Sequence, residues 1–227
     1  MTDDLSATSL AEHIAEFTSA MTKQAPPEVV AKLGIELEKL ASSGIAKQAL
    51  ATNGKAPDFS LPDTQGRPTA LSSLLARGPV VLTFYRGGWC PFCDLQLRAY
   101  QRILPEIHGL GAELVAISPQ TADYALSDVE KKQLTPPVLH DSGNRVARSY
   151  GLVFTLSDAL KELQTGFGNP LPKFNGDQSW ELPMPGTFVL DRDGSVKFAH
   201  VDPNYMVRAE PAAILDVLRQ LHAEGGA

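Results

Sequence analysis

Two cysteines in 227 residues are too few for a disulfide-stapled scaffold or for a four-thiolate zinc site. Histidine does not fill the gap: His13, His108, His140, His200 and His222 are scattered without ligand-like spacing, so no metal and no cofactor is expected. There is no basic block, and the formal net charge is −6, which argues against a nucleic-acid partner. No apolar run approaches the roughly 20 residues that cross a bilayer, so no membrane contact is expected. The opening "MTDDLSATSLAEHIAEF" has acids where a secretory leader has a basic start, and a cytoplasmic location is the default reading. Disulfides in that compartment are mostly transient and catalytic. Internal repeats and low-complexity tracts are absent as well.

What remains is an ordinary globular composition, 43% hydrophobic and 20% charged, long enough to bury a substantial core as one domain with an extension. Residues 1–50 read as a helical extension, because Val29, Val30, Leu33, Leu37 and Leu40 form a stripe at helical spacing that must be covered by the main domain or by a second subunit. Residues 51–227 read as one α/β domain. Turn-rich short strands lead into "PVVLTFYR" (79–86), a continuous apolar run suited to a central strand. "DLQLRAYQRILPEIHGL" places Leu97, Tyr100, Ile103, Leu104 and Ile107 on one helical stripe. A second buried strand, "AELVAISP", a helix "TADYALSDVEKKQL", a short strand "PPVLHD" and a brief helix "NRVARSYG" follow, and the alternation favours a mostly parallel sheet. Residues 151–183 lack sustained periodicity and read as an insertion. "GTFVLDRDGSVKFAHVD" reads as a hairpin with an Asp-Gly turn, before a last helix opened by Pro211.

Both cysteines lie in "FYRGGWCPFC" (84–93), between the buried strand and the helix. A thiolate is the reactive form and an ordinary thiol, with a pKa of about 8.5, is mostly protonated at neutral pH. With Pro91 opening the helix, Cys90 stands at its N-terminal end, where free N–H groups and the positive dipole end favour an anion. Cys93 lies one turn further in, within reach of the Cys90 sulfur but less exposed. The spacing therefore makes a nucleophile and a resolving thiol. Arg86 is placed to add positive charge beside Cys90, the alternative being a solvated strand-end arginine. Trp89 either shields the site or caps the core.

"WCPFC" after a buried strand, followed much later by "MPGTFVLDRDG", resembles the thioredoxin superfamily, and "GKAPDFSLPDTQGRPTALSSLL" before "GPVVLTFYRGGWCPFC" resembles its peroxiredoxin-like branch, the alkyl hydroperoxide reductase and thiol-specific antioxidant group. The resemblance implies a thioredoxin-like α/β fold, a central mixed β-sheet flanked by helices, carrying the N-terminal extension. It further implies that Cys90 is oxidised by a peroxide to a sulfenic acid and that Cys93 closes a disulfide. It places Pro185 opposite the cysteines, preceded by a cis peptide bond from Met184. The group's usual Pro-x-x-x-Thr/Ser-x-x-Cys is not kept: Thr83 stands where proline is usual and Gly87 where a hydroxyl is usual. Oxygen-holding donors are then expected from Arg86, with the hydroxyls of Thr83, Tyr85 or Thr187. Asp202, Tyr205 and Arg208 are possible polar contributors equally explained by surface ion pairing.

Two enzymatic readings follow. One is a thiol peroxidase reducing hydrogen peroxide or organic hydroperoxides, recycled by a thioredoxin-like or glutaredoxin-like reductant. The other is a thiol-disulfide oxidoreductase acting on protein or glutathione disulfides through the same pair. A non-enzymatic redox sensor is a third reading. The resemblance and the unpartnered N-terminal stripe together raise a homodimer.

Overall fold

The computed structural model describes residues 9–225. After the short antiparallel pair β1 (Ser60–Pro62) and β2 (Pro68–Ala70) comes the central strand, β3 (Val80–Phe84), buried at every position as the apolar run predicts. Successive side chains of a strand point to opposite faces. Val81 and Tyr85 accordingly enter one core layer, and Val80, Leu82 and Phe84 the other. β3 pairs in parallel with β4 (Glu113–Ser118), which pairs in parallel with β5 (Val138–His140). On its other side β3 pairs antiparallel with β8 (Gly186–Leu190), and β8 with β9 (Val196–Val201). The order β5-β4-β3-β8-β9 is a mixed sheet, with the Asp193-Gly194 turn joining its last two strands; the mostly parallel arrangement holds for one half.

Helices cover both faces. On one lie α4 (Pro91–Arg102), α5 (Leu104–Gly109), α6 (Ala122–Lys132) and α10 (Pro211–Gly225); on the other lie α3 (Leu71–Leu75) and α7 (Arg145–Ser149). The apolar spacing from Leu97 to Ile107 predicts one helix. The helix instead breaks at Ile103 (φ −91°, ψ 2°), because Pro105 has no N–H to continue the ladder and its ring crowds the preceding turn. The 151–183 insertion also has more order than its sequence indicates. β6 (Val153–Thr155) and β7 (Glu181–Pro183) pair antiparallel, and between them lie α8 (Asp158–Gly166) and α9 (Leu171–Asn175). Those pieces are too short for periodicity to register.

The N-terminal stretch forms α1 (Leu10–Gln24) and α2 (Pro27–Ser42), separated at Pro26-Pro27. Ser9 and Glu12 close a reciprocal capping box, and the Glu210 carboxylate accepts from the N–H groups of Leu10 (3.1 Å) and Ala11 (2.7 Å). Leu10 and Ile14 are buried in the core beside α4, each worth roughly 1.5–3 kcal/mol of transfer free energy. α2 is held more lightly. Its stripe is only half buried, and its one buried residue is Glu36, which accepts from Ser157 at the start of α8 (2.6 Å) and from Lys39 (2.6 Å). Lys32 adds an exposed pair with Glu162 (2.7 Å). Residues 1–8 of the extension lie outside the described residues.

Candidate active site

Cys90 is the N-cap of α4, with extended backbone (φ −91°, ψ 112°), and Pro91 supplies the fixed φ suited to the first helical position. The Cys90 carbonyl accepts from the N–H groups of Cys93 (3.0 Å) and Asp94 (3.1 Å), which places the two side chains within one turn. Both thiols are free and buried, at 1% and 0% exposure. The preceding loop is pinned from outside: Gly88 donates to Gln120 Oε1 (2.7 Å), and Lys132 Nζ donates to the Gly88 carbonyl (2.6 Å). Gly87 has φ +144°, a region that favours glycine, and a Cβ there would lie 2.4 Å from Trp89 Nε1. The indole therefore takes the space of a side chain at position 87.

Two buried guanidiniums flank the pair from different sides. Arg86 Nη1 lies 3.8 Å from Cys90 Sγ, and the guanidinium is held between the rings of Trp89 (4.8 Å to the centroid) and Tyr205 (4.2 Å). Arg208 Nη2 lies 3.5 Å from Cys93 Sγ. Arg208 is fixed by its Nε–H to the Tyr205 carbonyl (2.7 Å) and by Nη1 to Gln96 Oε1. Gln96 Nε2 donates to Tyr100 Oη (3.0 Å) and Thr187 Oγ1 (3.2 Å), while Tyr100 Oη donates to the Ala209 carbonyl (3.0 Å). This network is buried throughout.

The two thiols titrate as a coupled pair. Burial pushes the Cys90 thiol well up, and the neighbouring Cys93 sulfur reinforces the shift. Burial opposes ionisation of Cys93 too, but a hydrogen bond from the Cys90 thiol and the guanidiniums of Arg208 and Arg86 outweigh it and hold Cys93 well below an ordinary thiol. The two thiols are thus pushed in opposite directions, Cys90 away from ionisation and Cys93, beside Arg208, toward it.

Access is one-sided. A cavity of about 430 Å³ reaches Cys90 and not Cys93. Its inner end is formed by Arg86, Trp89, Cys90 and Tyr205, its outer wall by α1, α2 and the end of α8. Phe92, inside the Cys-x-x-Cys turn, is clamped edge-on between Phe17 of α1 (5.4 Å) and Tyr205 (5.5 Å). Within the cavity wall, Arg86 Nε and Trp89 Nε1 are buried donors without a hydrogen-bond partner among the described residues.

Residues 52–199 match the family model described as the AhpC/TSA family. The chain belongs to the AhpC/TSA family. Among its relatives, the chloroplastic peroxiredoxin Q of Sedum lineare is 30% identical over 153 residues, 67% of this chain and 70% of that protein. The thiol-disulfide oxidoreductase ResA of Bacillus cereus is 24% identical over 143 residues, 63% of this chain and 65% of that one. Among solved structures, peroxidoxin BcpB from Mycobacterium tuberculosis superposes with a TM-score of 0.60 at 25% identity, over 76% of this chain and 98% of that one. The fold is the thioredoxin-like one, a five-stranded mixed sheet flanked by helices.

Within this AhpC/TSA framework, the structure brings Cys90, Cys93, Arg86 and Trp89 together. It does not give Pro185 the expected geometry. No peptide bond among the described residues is cis. Between β7 and β8 the Met184 N–H donates to the Leu152 carbonyl (2.8 Å). Pro185 is buried and does not line the cavity. Thr187 and Thr83 are also off the cavity; Thr187 serves the Gln96–Arg208 network, and Tyr85 is fully buried elsewhere in the core layer. Surface ion pairing does not describe Arg208 or Tyr205: Arg208 is buried and points at sulfur and amide. Its only signal in the sequence is a charged residue in the aromatic-containing segment "NYMVRAEP", 115 positions from Cys93.

Proposed function

We propose that the protein is a thiol-dependent peroxidase in which Cys90 attacks a hydroperoxide and Cys93 resolves the product. The observation that carries this reading is the placement of the Cys90 thiol, with a guanidinium 3.8 Å away, at the inner end of a cavity that has room for a small molecule.

A proton passed between the two thiols organises the steps. When it passes from Cys90 to Cys93, the Cys90 thiolate attacks the terminal oxygen of the hydroperoxide: an S–O bond forms, the O–O bond breaks, and sulfur loses two electrons to oxygen. The departing alkoxide, or hydroxide from hydrogen peroxide, takes the proton from Cys93 and leaves as alcohol or water. Arg86 and the Trp89 N–H are the donors for the peroxide oxygens, since charge developing on oxygen is best met by preorganised donors in a dry site. Cys93, again a thiolate beside Arg208, attacks the sulfenic acid. An S–S bond forms, and hydroxide departs and is protonated by solvent. An external dithiol of thioredoxin or glutaredoxin type reduces the disulfide by exchange.

The second reading, thiol-disulfide exchange, draws on the likeness to ResA and on the Cys-Pro-Phe-Cys turn. One preparation separates the two. With a thioredoxin or glutaredoxin regenerating system, peroxide-dependent turnover is compared with reduction of a disulfide substrate. Peroxide turnover lost in Cys90→Ser and reduced to a single turnover in Cys93→Ser supports the proposal, whereas disulfide turnover without peroxide turnover overturns it.

A further inference from the structure

We infer that the cavity over Cys90 is a chamber for the apolar body of the substrate, so that the enzyme prefers hydroperoxides carrying a bulky hydrocarbon group, and that α1 and α2 set this preference. The inference rests on the peroxidase reading and adds the substrate class to it.

Size is the first ground. About 430 Å³ is many times the roughly 10–15 Å³ of such space that one water needs, and hydrogen peroxide, little larger than water, would leave most of it unfilled. Chemistry is the second. Arg86, at the inner end, is the only charged residue in the lining among the described residues, while the body of the chamber is faced by Met21 of α1, Val29, Leu33 and Leu37 of α2, and Phe167 beyond α8. The remaining polar side chains of the wall are uncharged hydroxyls and amides. A ligand that suits this gradient has one polar, reactive end and an uncharged apolar remainder, since polar or charged groups set against the hydrocarbon wall would lose hydration without replacement.

Gly34 is the third ground. It lies inside α2 and lines the chamber, although glycine is the poorest helix former after proline. No left-handed backbone requires it, and a Cβ there would have nothing within 4 Å. Glycine at this position preserves open volume. Both α1 and α2 lie outside residues 52–199, so this wall belongs to the chain's own extension and not to the region matched by the family.

The test measures kcat/KM for cumene hydroperoxide and for hydrogen peroxide on the full chain, with dithiothreitol as the reductant, and reads the ratio of the two. The unaltered protein is expected to favour cumene hydroperoxide by about tenfold or more, the scale on which apolar pockets discriminate. Gly34→Leu fills the chamber while improving the helix, and Leu33→Gln wets its wall. Each is expected to reduce the ratio about tenfold, whereas Ile35→Ala on the exposed face of the same helix leaves it in place. Circular dichroism confirms that each variant is folded, and Gly34→Leu, which strengthens the helix, carries the test if Leu33→Gln unfolds. Equal kcat/KM for the two peroxides, or a ratio unmoved by Gly34→Leu, overturns the inference and leaves the peroxidase reading intact. No turnover of either peroxide overturns the peroxidase reading itself.

Discussion

Cys90 and Cys93 sit three residues apart in one helical turn and face opposite environments. Cys90 looks into a largely apolar cavity roofed by α1 and α2, with Arg86 clamped between two aromatic rings. Cys93 looks into a closed polar network that runs from Arg208 through Gln96 to Tyr100 and Thr187. The cavity side supplies access, and the network side supplies charge. A single thiol in either place would have one of these properties without the other; the pair has both. The arrangement also explains why Arg208 needs so many partners. A buried guanidinium without hydrogen bonds is costly, and its fixed geometry is what keeps it aimed at sulfur.

The comparison breaks most completely at the sulfur atoms. Cys90→Ser is expected to abolish peroxide consumption in a stopped-flow assay, while Cys93→Ser gives one turnover and then stalls with a sulfenic acid that a dimedone probe captures by mass spectrometry. Equal multiple turnover by both variants would mean that the two sides are interchangeable.

Next in size is Arg208→Met. In the native protein the Arg208 guanidinium favours ionisation of Cys93, so its loss raises the pKa of that thiol. The thiolate fraction then falls at neutral pH and is regained only as the pH passes the ordinary thiol range of about 8.5. The expected loss in peroxide rate is about tenfold or more near pH 7, shrinking at higher pH, with the ultraviolet thiolate absorbance shifting in parallel. Arg86→Met is expected to move the absorbance titration less, because Arg86 contributes less than Arg208 to the ionisation of Cys93. The reverse order would place the resting charge on the cavity side.

A smaller effect separates network from cavity by stability. Tyr100→Phe removes a hydroxyl that binds Gln96, Thr187 and the Ala209 carbonyl, and the groups left unsatisfied are buried. Urea unfolding is expected to show a loss of about 1–3 kcal/mol. The smallest effect is on the roof. Glu210→Gln keeps the shape but removes the charge at the N-terminus of α1, and the expected loss is about 0.3–1 kcal/mol with no shift in thiolate absorbance. A shift there would show that the α1 anchor and the thiol pair are coupled.

Much of this framework is legible in the residues themselves. The apolar run of β3, the Cys-x-x-Cys at the start of α4 and the Asp-Gly turn of the final hairpin are local signals whose period or turn chemistry leaves little choice. The stripe of α2 is readable as well, and so is its need for a cover. Two kinds of information are not. Short segments such as β6, β7 and α9 carry too few residues for periodicity, and Pro105 divides a helix that its apolar spacing alone would continue. Contacts across long separations leave no local trace: Arg208 reaches Cys93 only because the connection from β9 to α10 passes beside α4, and nothing in "YMVRAEP" distinguishes it from a surface arginine.

The sequence by itself determined that two thiols occupy a strand-to-helix junction, because spacing along the chain and helix-end electrostatics are local properties. Only the tertiary structure decided which thiol a substrate meets and which one has a guanidinium network beside it. Access depends on α1 and α2 folding back over Cys90, charge depends on Arg208 arriving beside Cys93, and both are consequences of packing between residues far apart in the chain.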